Sequence, residues 1–401
     1  MYCNGKTEGE ATLLLRGWLE DESNNAKQAN KCQNGVDFYP FSHYELPRNA
    51  ANSADRQSAP ALTVWEQAMA KRLDIAHVHA TANGATADLL ALSALTAPVL
   101  GERALRPGDE VITVALDAMP LIAPILLLGA VPVAVDVSPA HYNINAALLE
   151  QALSPATRAV MLSHTAGYPF DLKTVRNFCN DYELWLIEDC REAFGAAYDF
   201  DGTRYAAGTV GDIGCGALPP LSPDGESIGF VCTRDDTLTL ILQGMRDGAA
   251  IDGDLAAPFE SCVDFRCDAT QATAALAALV DLDEHLQTRK KAANGVEKAL
   301  SSLCALPMPL PNTHPAPSAL PVLFESTEAC EKVAAALAAA GIPCKPFQNV
   351  FSHTVWAHFM HRILSALMET EQISACALSL PLPRNEAALT LLLDTVREAL
   401  Q

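Results

Sequence analysis

Residues 106–136 read RPGDEVITVALDAMPLIAPILLLGAVPVAVD. This stretch predicts a strand over 110–115, a helix over 120–128 and, after a turn at Gly129, a second strand over 131–136. Runs such as VITVAL are apolar on both faces, which is typical of central strands in a parallel sheet covered by helices. The stretch therefore predicts one strand–helix–strand unit of an α/β fold.

The same stretch leaves a second interpretation open. Residues 118–135 carry no charge and have about the minimum length of a membrane span. Pro120, Pro124 and Pro132 interrupt the run, and Gly129 divides it. We therefore favour a buried helix, a turn and a buried strand over a membrane-spanning helix.

Strands and helices continue to alternate on both sides of this unit. Further helices are predicted over 61–73, 84–98, 145–152 and 171–181, and further strands over 75–80, 158–163 and 184–188. This order predicts a mainly parallel sheet wrapped by helices, with ligands bound at the carboxyl ends of the strands.

Three regions follow from changes in composition along the chain. Residues 1–60 are polar and without periodicity, so we predict an N-terminal arm there. A large domain follows over 61–303 and ends with an Ala-rich helix from 269 to 287 that continues towards 303. The Pro-dense stretch 307–321 marks a boundary, and a smaller C-terminal α/β domain is predicted over 304–401.

The charge balance excludes several classes of partner. The chain of 401 residues carries 27 Lys and Arg against 48 Asp and Glu, a formal net charge of −21. Such a surface repels nucleic-acid backbones and anionic membranes, so neither is expected as a partner. The 12 cysteines include no CxxC pair, and residues 1–25 do not resemble a signal peptide. Both observations predict a cytoplasmic protein with reduced thiols.

Two strand ends carry candidate binding residues. Gly84, Ala85 and Thr86 follow a strand and open a helix, where backbone N–H groups can hold a phosphate. The same residues also suit an ordinary turn and helix cap. Asp189 ends the strand LWLIED, where its carboxylate can face a ligand or cap the next helix. The neighbouring Glu188 is expected on the opposite face of the sheet.

Four segments in order resemble the DegT/DnrJ-type family of pyridoxal-phosphate (PLP) sugar aminotransferases. They are RPGDEVITVA at 106–115, GAVPVAVDVSPAHYNINAALLEQAL at 129–153, LWLIEDCREAFGAAY at 184–198 and GTVGDIG at 208–214. The phrase SHTAGYPFDLKTVR is similar to the CDP-4-keto-6-deoxyglucose 3-dehydrase branch of lipopolysaccharide sugar synthesis. The resemblance implies the PLP-dependent transferase type I (aspartate-aminotransferase-like) fold, a PLP or PMP cofactor and a dimer.

The resemblance also locates a missing catalytic group. Family members carry a Schiff-base Lys, or in the dehydratase branch a His, that acts as the general base. In this chain the position falls at Ser222 or Pro223, and no Lys or His occurs from 174 to 284. Neither Ser nor Pro can form a Schiff base, so no catalytic residue is assigned.

Other cofactor contacts implied by the family are altered as well. The phosphate-binding hydroxyl position aligns with Ala85, beside Thr86, and the ring-stacking aromatic aligns near Ala118. A second phosphate-binding Ser aligns with Ala217, and the Asn lent by a neighbouring subunit aligns with Asp264. Gly84 and Asp189, the partner of the protonated pyridine nitrogen, are retained. The implied cofactor-binding residues are therefore Gly84, Ala85, Thr86 and Asp189.

No metal site is predicted. The dehydratase branch binds an iron–sulphur cluster, but here Cys190 is followed by Arg191, and only Cys262 and Cys267 remain nearby. These residues supply fewer than the four ligands that a cluster takes. His77 and His79 share one face of a predicted strand without a third ligand. His353, His358 and His361 lie on a predicted helix whose face is expected to be solvated.

These observations support two functional hypotheses. The first is a catalytically silent relative of nucleotide-sugar enzymes, which forms a homodimer or a heterodimer with an intact paralogue and retains a possible nucleotide-sugar ligand. The second is an active PMP- or PLP-dependent enzyme on a nucleotide-linked 4-keto sugar. A basic side chain brought to Asp189 from elsewhere, such as Lys173 or His164, would favour the second hypothesis.

Overall fold

The computed structural model describes residues 59–218, 228–248, 263–352, 356, 358–364 and 366–401. Four predictions lie outside the described residues: the arm up to residue 58, the catalytic position at Ser222 and Pro223, Cys262, and His353.

The large α/β part begins with the predicted alternation. Its first elements are α1 (Ala59–Leu73), β1 (His77–Thr81), α2 (Gly84–Ala94), β2 (Glu110–Val114), α3 (Met119–Leu127), β3 (Val131–Val135), α4 (Leu149–Ala152), β4 (Thr157–Ser163), α5 (Leu172–Asp181) and β5 (Trp185–Asp189). The boundaries lie close to the predicted ones because the apolar strands and the caps at Asn83 and Asp171 are local signals. Residues 119–135 are a buried helix, a turn at Gly129 and a buried strand, as predicted.

The remaining elements complete the large part and form a second, smaller one. They are β6 (Ala197–Phe200), β7 (Thr203–Ala206), β8 (Ile213–Ala217), β9 (Gly229–Thr233), α6 (Asp236–Asp247), α7 (Ala269–Ala278), α8 (Leu282–Leu300), β10 (Thr313–His314), β11 (Leu320–Leu323), α9 (Thr327–Ala339), β12 (Lys345–Pro346), β13 (Arg362–Ile363), α10 (Met368–Cys376), β14 (Ala377–Leu380) and α11 (Glu386–Ala399). No helix of the described residues is long and apolar enough to cross a bilayer.

The central sheet is mainly parallel, as the sequence predicts. Its strand order is β1-β9-β8-β5-β4-β2-β3-β13, and only the pairs β1–β9 and β9–β8 are antiparallel. Ser163, Asp189 and Cys215 are register partners on β4, β5 and β8. The carboxyl ends of these parallel strands therefore meet at one edge of the sheet, where ligand sites of such folds lie.

Two hydrophobic cores support the two parts. The larger core packs around the central sheet and includes Trp65, Ile112, Phe170 and Phe230. The smaller core packs α9 and α11 against a three-stranded sheet in the order β11-β14-β12. The second half of α8 contributes Val296 and Leu300 to this smaller core. The domain boundary at 303/304 stays a prediction.

Two predicted elements differ from the structure. The single helix expected from 269 is two helices, α7 and α8, separated by a turn at 279–281 in which Val280 is exposed, whereas Leu282 at the start of α8 is buried. The helix predicted around His358 and His361 is wrong, since the chain there enters the short strand β13 beside β3. Arg362 holds this strand with Nε–Oε1 and Nη2–Oε2 hydrogen bonds of 2.9 and 2.7 Å to Glu110. This contact is tertiary and leaves no local signal.

Candidate functional site

The turn between β1 and α2 is an ordinary helix cap. The side-chain oxygen of Asn83 accepts hydrogen bonds from the backbone N–H and the hydroxyl of Thr86, both at 2.9 Å. Thr86 is fully buried. Its hydroxyl is thus committed to Asn83, although the backbone at Gly84 still opens the helix beside the strand ends.

Asp189 is already paired within its own chain. Its carboxylate accepts hydrogen bonds from the backbone N–H of Arg191 at 2.9 Å and from Nε at 3.0 Å, both on Oδ1, and from Nη2 at 2.9 Å on Oδ2. The Arg191 side chain is 10% exposed and that of Asp189 is 5% exposed. Two parallel charge-assisted bonds fix a guanidinium in the plane of a carboxylate. The charge of Asp189 is therefore balanced by a neighbouring side chain.

A second carboxyl group, that of Asp88, contacts the same Nη2 atom of this guanidinium as Asp189 does. Asp88 sits one turn into α2, its side chain is fully buried, and its Oδ2 lies 2.8 Å from Nη2 of Arg191. Burial raises the pKa of Asp88 well above its ordinary value; the charge of Arg191 opposes this shift and that of Asp189 adds to it. Arg191 thus contacts two carboxyl groups.

Gly84 makes room for Arg191. A Cβ atom at Gly84 would lie 2.8 Å from Cγ of Arg191 and closer still to its Cδ. The same Cβ would lie 3.4 Å from Cβ of Ala217. The Arg191 side chain therefore lies against Gly84 and is paired with Asp189, and Ala217 lies on the same side of Gly84.

The opposite face of β5 carries a separate buried cluster. Glu188 accepts hydrogen bonds from the backbone N–H groups of Gly208, Val210 and Gly211, and lies 3.2 Å from Nε2 of His164. Burial alone would raise its pKa, but the hydrogen bond and charge of His164 and the backbone donors hold the pKa of Glu188 below its ordinary value. Glu188 and Asp189 therefore face opposite sides, as predicted, and His164 belongs to the Glu188 side.

Further charged groups lie close enough to Asp189 to interact with it electrostatically. Lys345 reaches from β12 to Asp117, which follows β2, with an Nζ–Oδ2 distance of 2.8 Å. Glu192 accepts a hydrogen bond from the backbone N–H of Ala166 at 2.8 Å. Burial raises the pKa of Glu192 and the charge of Lys345 opposes this shift. The charges of Asp117 and Asp189 add to the raised pKa of Glu192, so the Lys345 amine is the cation of this group of carboxyl side chains.

Three of the altered positions named from the sequence are buried alanines, and the fourth is an ion-paired aspartate. Ala85, Ala118 and Ala217 are buried and present methyl groups only. Asp264 is held by its own neighbour, because its carboxylate accepts hydrogen bonds from the backbone N–H, Nε and Nη2 of Arg266. Lys173 does not approach Asp189: its Nζ lies 3.9 Å from Asp201 and 5.6 Å from the ring centre of Phe200.

The predicted histidine and cysteine positions have structural partners. His77 and His79 both face α6, where their Nε2 atoms lie 3.0 Å from Asp236 and 2.6 Å from Thr239. The buried thiol of Cys190 donates to the carbonyl of Cys215 at 2.9 Å, and burial raises its pKa. Within the described ranges, no group of three His, Cys, Asp or Glu residues could hold a metal ion.

The arrangement does not fit a pyridine-ring cofactor. A protonated ring nitrogen would need the carboxylate of Asp189, and both of its oxygens accept hydrogen bonds from Arg191. The Arg191 side chain also lies against Gly84, where the cofactor phosphate is implied. No aromatic or hydroxyl group replaces Ala118 or Ala217 at their positions. As placed, Arg191 and a cofactor ring compete for the same carboxylate.

The sequence analysis missed the roles of Arg191, Asp88 and Lys345. Two signals were present: an Arg two residues after a strand-end carboxylate, and a lone charge, Asp88, on the apolar helix α2. Lys345 offered no local signal, because only the tertiary fold brings β12 to Asp117.

Comparison with known proteins gives a consistent family. The sequence profile of the DegT/DnrJ/EryC1/StrS aminotransferase family matches residues 45–389. The lipopolysaccharide biosynthesis protein RfbH of Salmonella typhimurium is 43% identical over 185 residues, which are 46% of this chain and 41% of that protein. The chain thus spans less than half the length of this relative.

Solved structures share the fold over almost the whole chain. S. venezuelae DesV, in complex with a ketimine intermediate, superposes with a TM-score of 0.72 at 22% identity and covers 100% of this chain and 99% of its own. E. coli GDP-4-keto-6-deoxy-D-mannose-3-dehydratase with bound hydrated PLP gives a TM-score of 0.72 at 17% identity, with coverages of 91% and 100%. At these identities the likeness confirms the PLP-dependent transferase type I fold.

Proposed function

Because the chain belongs to the DegT/DnrJ/EryC1/StrS aminotransferase family, we propose that it is a catalytically silent member of that family. In this proposal it acts in the cytoplasm, in nucleotide-sugar synthesis for lipopolysaccharide, through binding and not through turnover. The observation that carries the proposal is the ion pair between Arg191 and Asp189. In this pair the carboxylate that would bind the cofactor ring is already bound by a side chain of the same protein.

The absence of a base from the expected segment supports the proposal. No Lys or His occurs from 174 to 284. His164 is paired with Glu188, and Lys173 lies beside Asp201. The losses at Ala118 and Ala217 weaken cofactor binding further, at about 1 to 3 kcal/mol for each missing stacking or hydrogen-bonding group.

We extend the proposal to the partner. The family resemblance implies a dimer. We therefore propose that the chain forms a homodimer, or a heterodimer with an intact paralogue. In the same proposal a nucleotide sugar is a ligand of the chain. Light scattering of the purified chain, alone and coexpressed with an intact family member, measures which assembly forms.

One observation favours the alternative of an active PMP- or PLP-dependent enzyme on a nucleotide-linked 4-keto sugar. Lys345 brings an amine to Asp117, next to Ala118 where the ring would stack. An amine in this place could move a proton if a cofactor displaced Arg191. The two functions therefore differ in whether a cofactor binds at all.

Calorimetric titration of the purified chain with PMP, and separately with PLP, decides between the two functions. The silent protein gives no saturable heat up to about 1 mM, where the binding free energy is only about −4 kcal/mol. Saturable binding in the micromolar range contradicts the proposal and supports the active enzyme. A Lys345→Met variant is the matched control, because it removes the alternative amine and leaves Arg191 and Asp189 in place.

A further inference from the structure

We propose that Arg191 is an intramolecular ligand: its guanidinium fills a buried site for a planar organic cation that is built from Asp88, Asp189 and Gly84. This inference rests on the proposed function in one respect, since it takes the site to be closed to a cofactor. It goes further in two ways. The site is one that binds guanidinium-type cations, and the side chain of Arg191 occupies it.

Both carboxylates are directed at the guanidinium. Asp189 forms the two parallel hydrogen bonds to Nε and Nη2 at 3.0 and 2.9 Å. Asp88 is fully buried, and neither of its oxygens makes a hydrogen bond of regular geometry to the described residues, although Oδ2 forms the 2.8 Å ion pair with Nη2. A buried acceptor that is directed at a cation and imperfectly satisfied marks a site built around charge.

The chemistry of the guanidinium suits this place. It is planar, always charged and more weakly hydrated than an ammonium group, so it is the cation that tolerates burial between carboxylates. A pyridinium ring is planar and cationic in the same way, but Arg191 is tethered and needs no encounter from solution. Tethering gives it a high effective concentration at Asp189.

Gly84 has a matching role in this interpretation. Its missing Cβ leaves the passage through which Cγ and Cδ of Arg191 reach the carboxylates. The glycine that phosphate binding would require therefore serves the resident side chain here. The four residues form one unit: two acceptors, one cation and the glycine that leaves room for it.

Truncation followed by chemical rescue tests the site. Thermal unfolding is measured for the full chain and for Arg191→Ala, each with and without guanidinium chloride at about 10 mM, far below denaturing concentrations. Without a ligand, Arg191→Ala is expected to unfold about 4 to 6 °C lower, because the buried carboxyl groups of Asp88 and Asp189 lose their cation. Guanidinium is expected to restore part of the loss saturably and to leave the unmodified chain unchanged.

Two controls separate charge from packing. Tetramethylammonium chloride at the same concentration supplies a cation that cannot donate hydrogen bonds, and it is expected to restore nothing. The double variant Asp88→Asn/Arg191→Ala removes one carboxylate together with the cation and is expected to be more stable than Arg191→Ala. An Arg191→Ala midpoint equal to that of the unmodified chain, no rescue by guanidinium, or a double variant no more stable than the single one would overturn the inference.

If Arg191→Ala does not fold, the expression yield of the double variant gives the same comparison, and equal failure of both variants counts against the inference. The rescue is measured without added cofactor, so its outcome is distinguishable from that of the PMP titration. Micromolar PMP binding to the unmodified chain contradicts the proposed function, whereas failed guanidinium rescue contradicts only the assignment of Arg191 as the resident ligand.

Discussion

The guanidinium of Arg191 and the carboxylate of Asp189 lie two residues apart at the end of β5 and form a bidentate ion pair at 2.9 to 3.0 Å. The strand end places the carboxylate at the ligand-binding edge of the sheet, and the next turn returns the cation to it. The carboxylate that is implied to contact the cofactor ring in the family is therefore neutralised here by a cation two residues further along the chain.

The first prediction concerns Gly84. We expect Gly84→Ala to destabilise the chain by about 1 to 3 kcal/mol, because the added methyl group forces the Arg191 side chain to shift from its site. In an Arg191→Ala background the same change should cost almost nothing, since Gly84 has an ordinary helical backbone and Ala217 lies at normal contact distance. Urea unfolding of the four proteins gives the coupling energy. Equal costs in both backgrounds would show that the contact is irrelevant.

The second prediction concerns Asp88 and pH. Its folded pKa is raised by burial, with Arg191 opposing and Asp189 and the nearby Cys215 as the other facing groups. A raised carboxyl pKa gives stability that is present below the unfolded value of about 3.9 and is lost as pH rises through the folded pKa. Asp88→Asn should therefore gain stability relative to the unmodified chain between about pH 5 and about pH 8. Urea midpoints that shift in parallel at both pH values would contradict the raised pKa.

The third prediction concerns Glu188, whose folded pKa is lowered. Such a group contributes stability above its unfolded pKa of about 4.3, and this stability is lost as pH falls through the folded pKa. Glu188→Gln is expected to cost about 2 to 4 kcal/mol near neutral pH, because an amide cannot accept all the backbone donors that Glu188 satisfies. The cost should shrink in acid, which equilibrium unfolding at about pH 7 and about pH 4 measures. A cost that grows on acidification would refute the assignment.

The fourth prediction concerns Asp136, which links the end of β3 to the start of α10. Its carboxylate accepts hydrogen bonds from the backbone N–H groups of Val137, Glu369 and Thr370 and from the Thr370 hydroxyl. Asp136→Ala is expected to lower the free energy of unfolding by about 2 to 3 kcal/mol, since several buried donors lose their acceptor. Asp171→Ala, which removes the more exposed cap of α5, is the matched control and should cost about 1 kcal/mol. Similar losses in the two variants would argue against a special role of the buried cap.

The sequence predicted the fold well where the signal is local. Apolar strands such as Val131–Val135 and the helix cap at Asn83 can be recognised from the local sequence. The parallel order of the strands follows from their alternation with helices. Gly84 and Asp189 were placed together because the family resemblance supplied the tertiary relation. The residue that fills the site was noted only as a neighbour of Cys190.

The features that the sequence did not predict depend mainly on contacts between segments that are distant in the chain. Arg362 reaches Glu110 and Lys345 reaches Asp117 only after the chain has folded back on itself. His164 and Glu188 are likewise far apart in sequence and meet because β4 and β5 are neighbours. Even for Arg191, the sequence showed proximity to Asp189 but not the direction of the side chain.

A crystal structure of the unmodified chain, grown in the presence of about 1 mM PMP, shows whether Arg191 or a cofactor ring pairs with Asp189, since weak ligands occupy few sites at this concentration. We expect the Arg191 guanidinium to be paired with both oxygens of Asp189, with no ring between Asp189 and Ala118. A pyridine ring bound to Asp189, with Arg191 turned away from Gly84, would contradict this expectation.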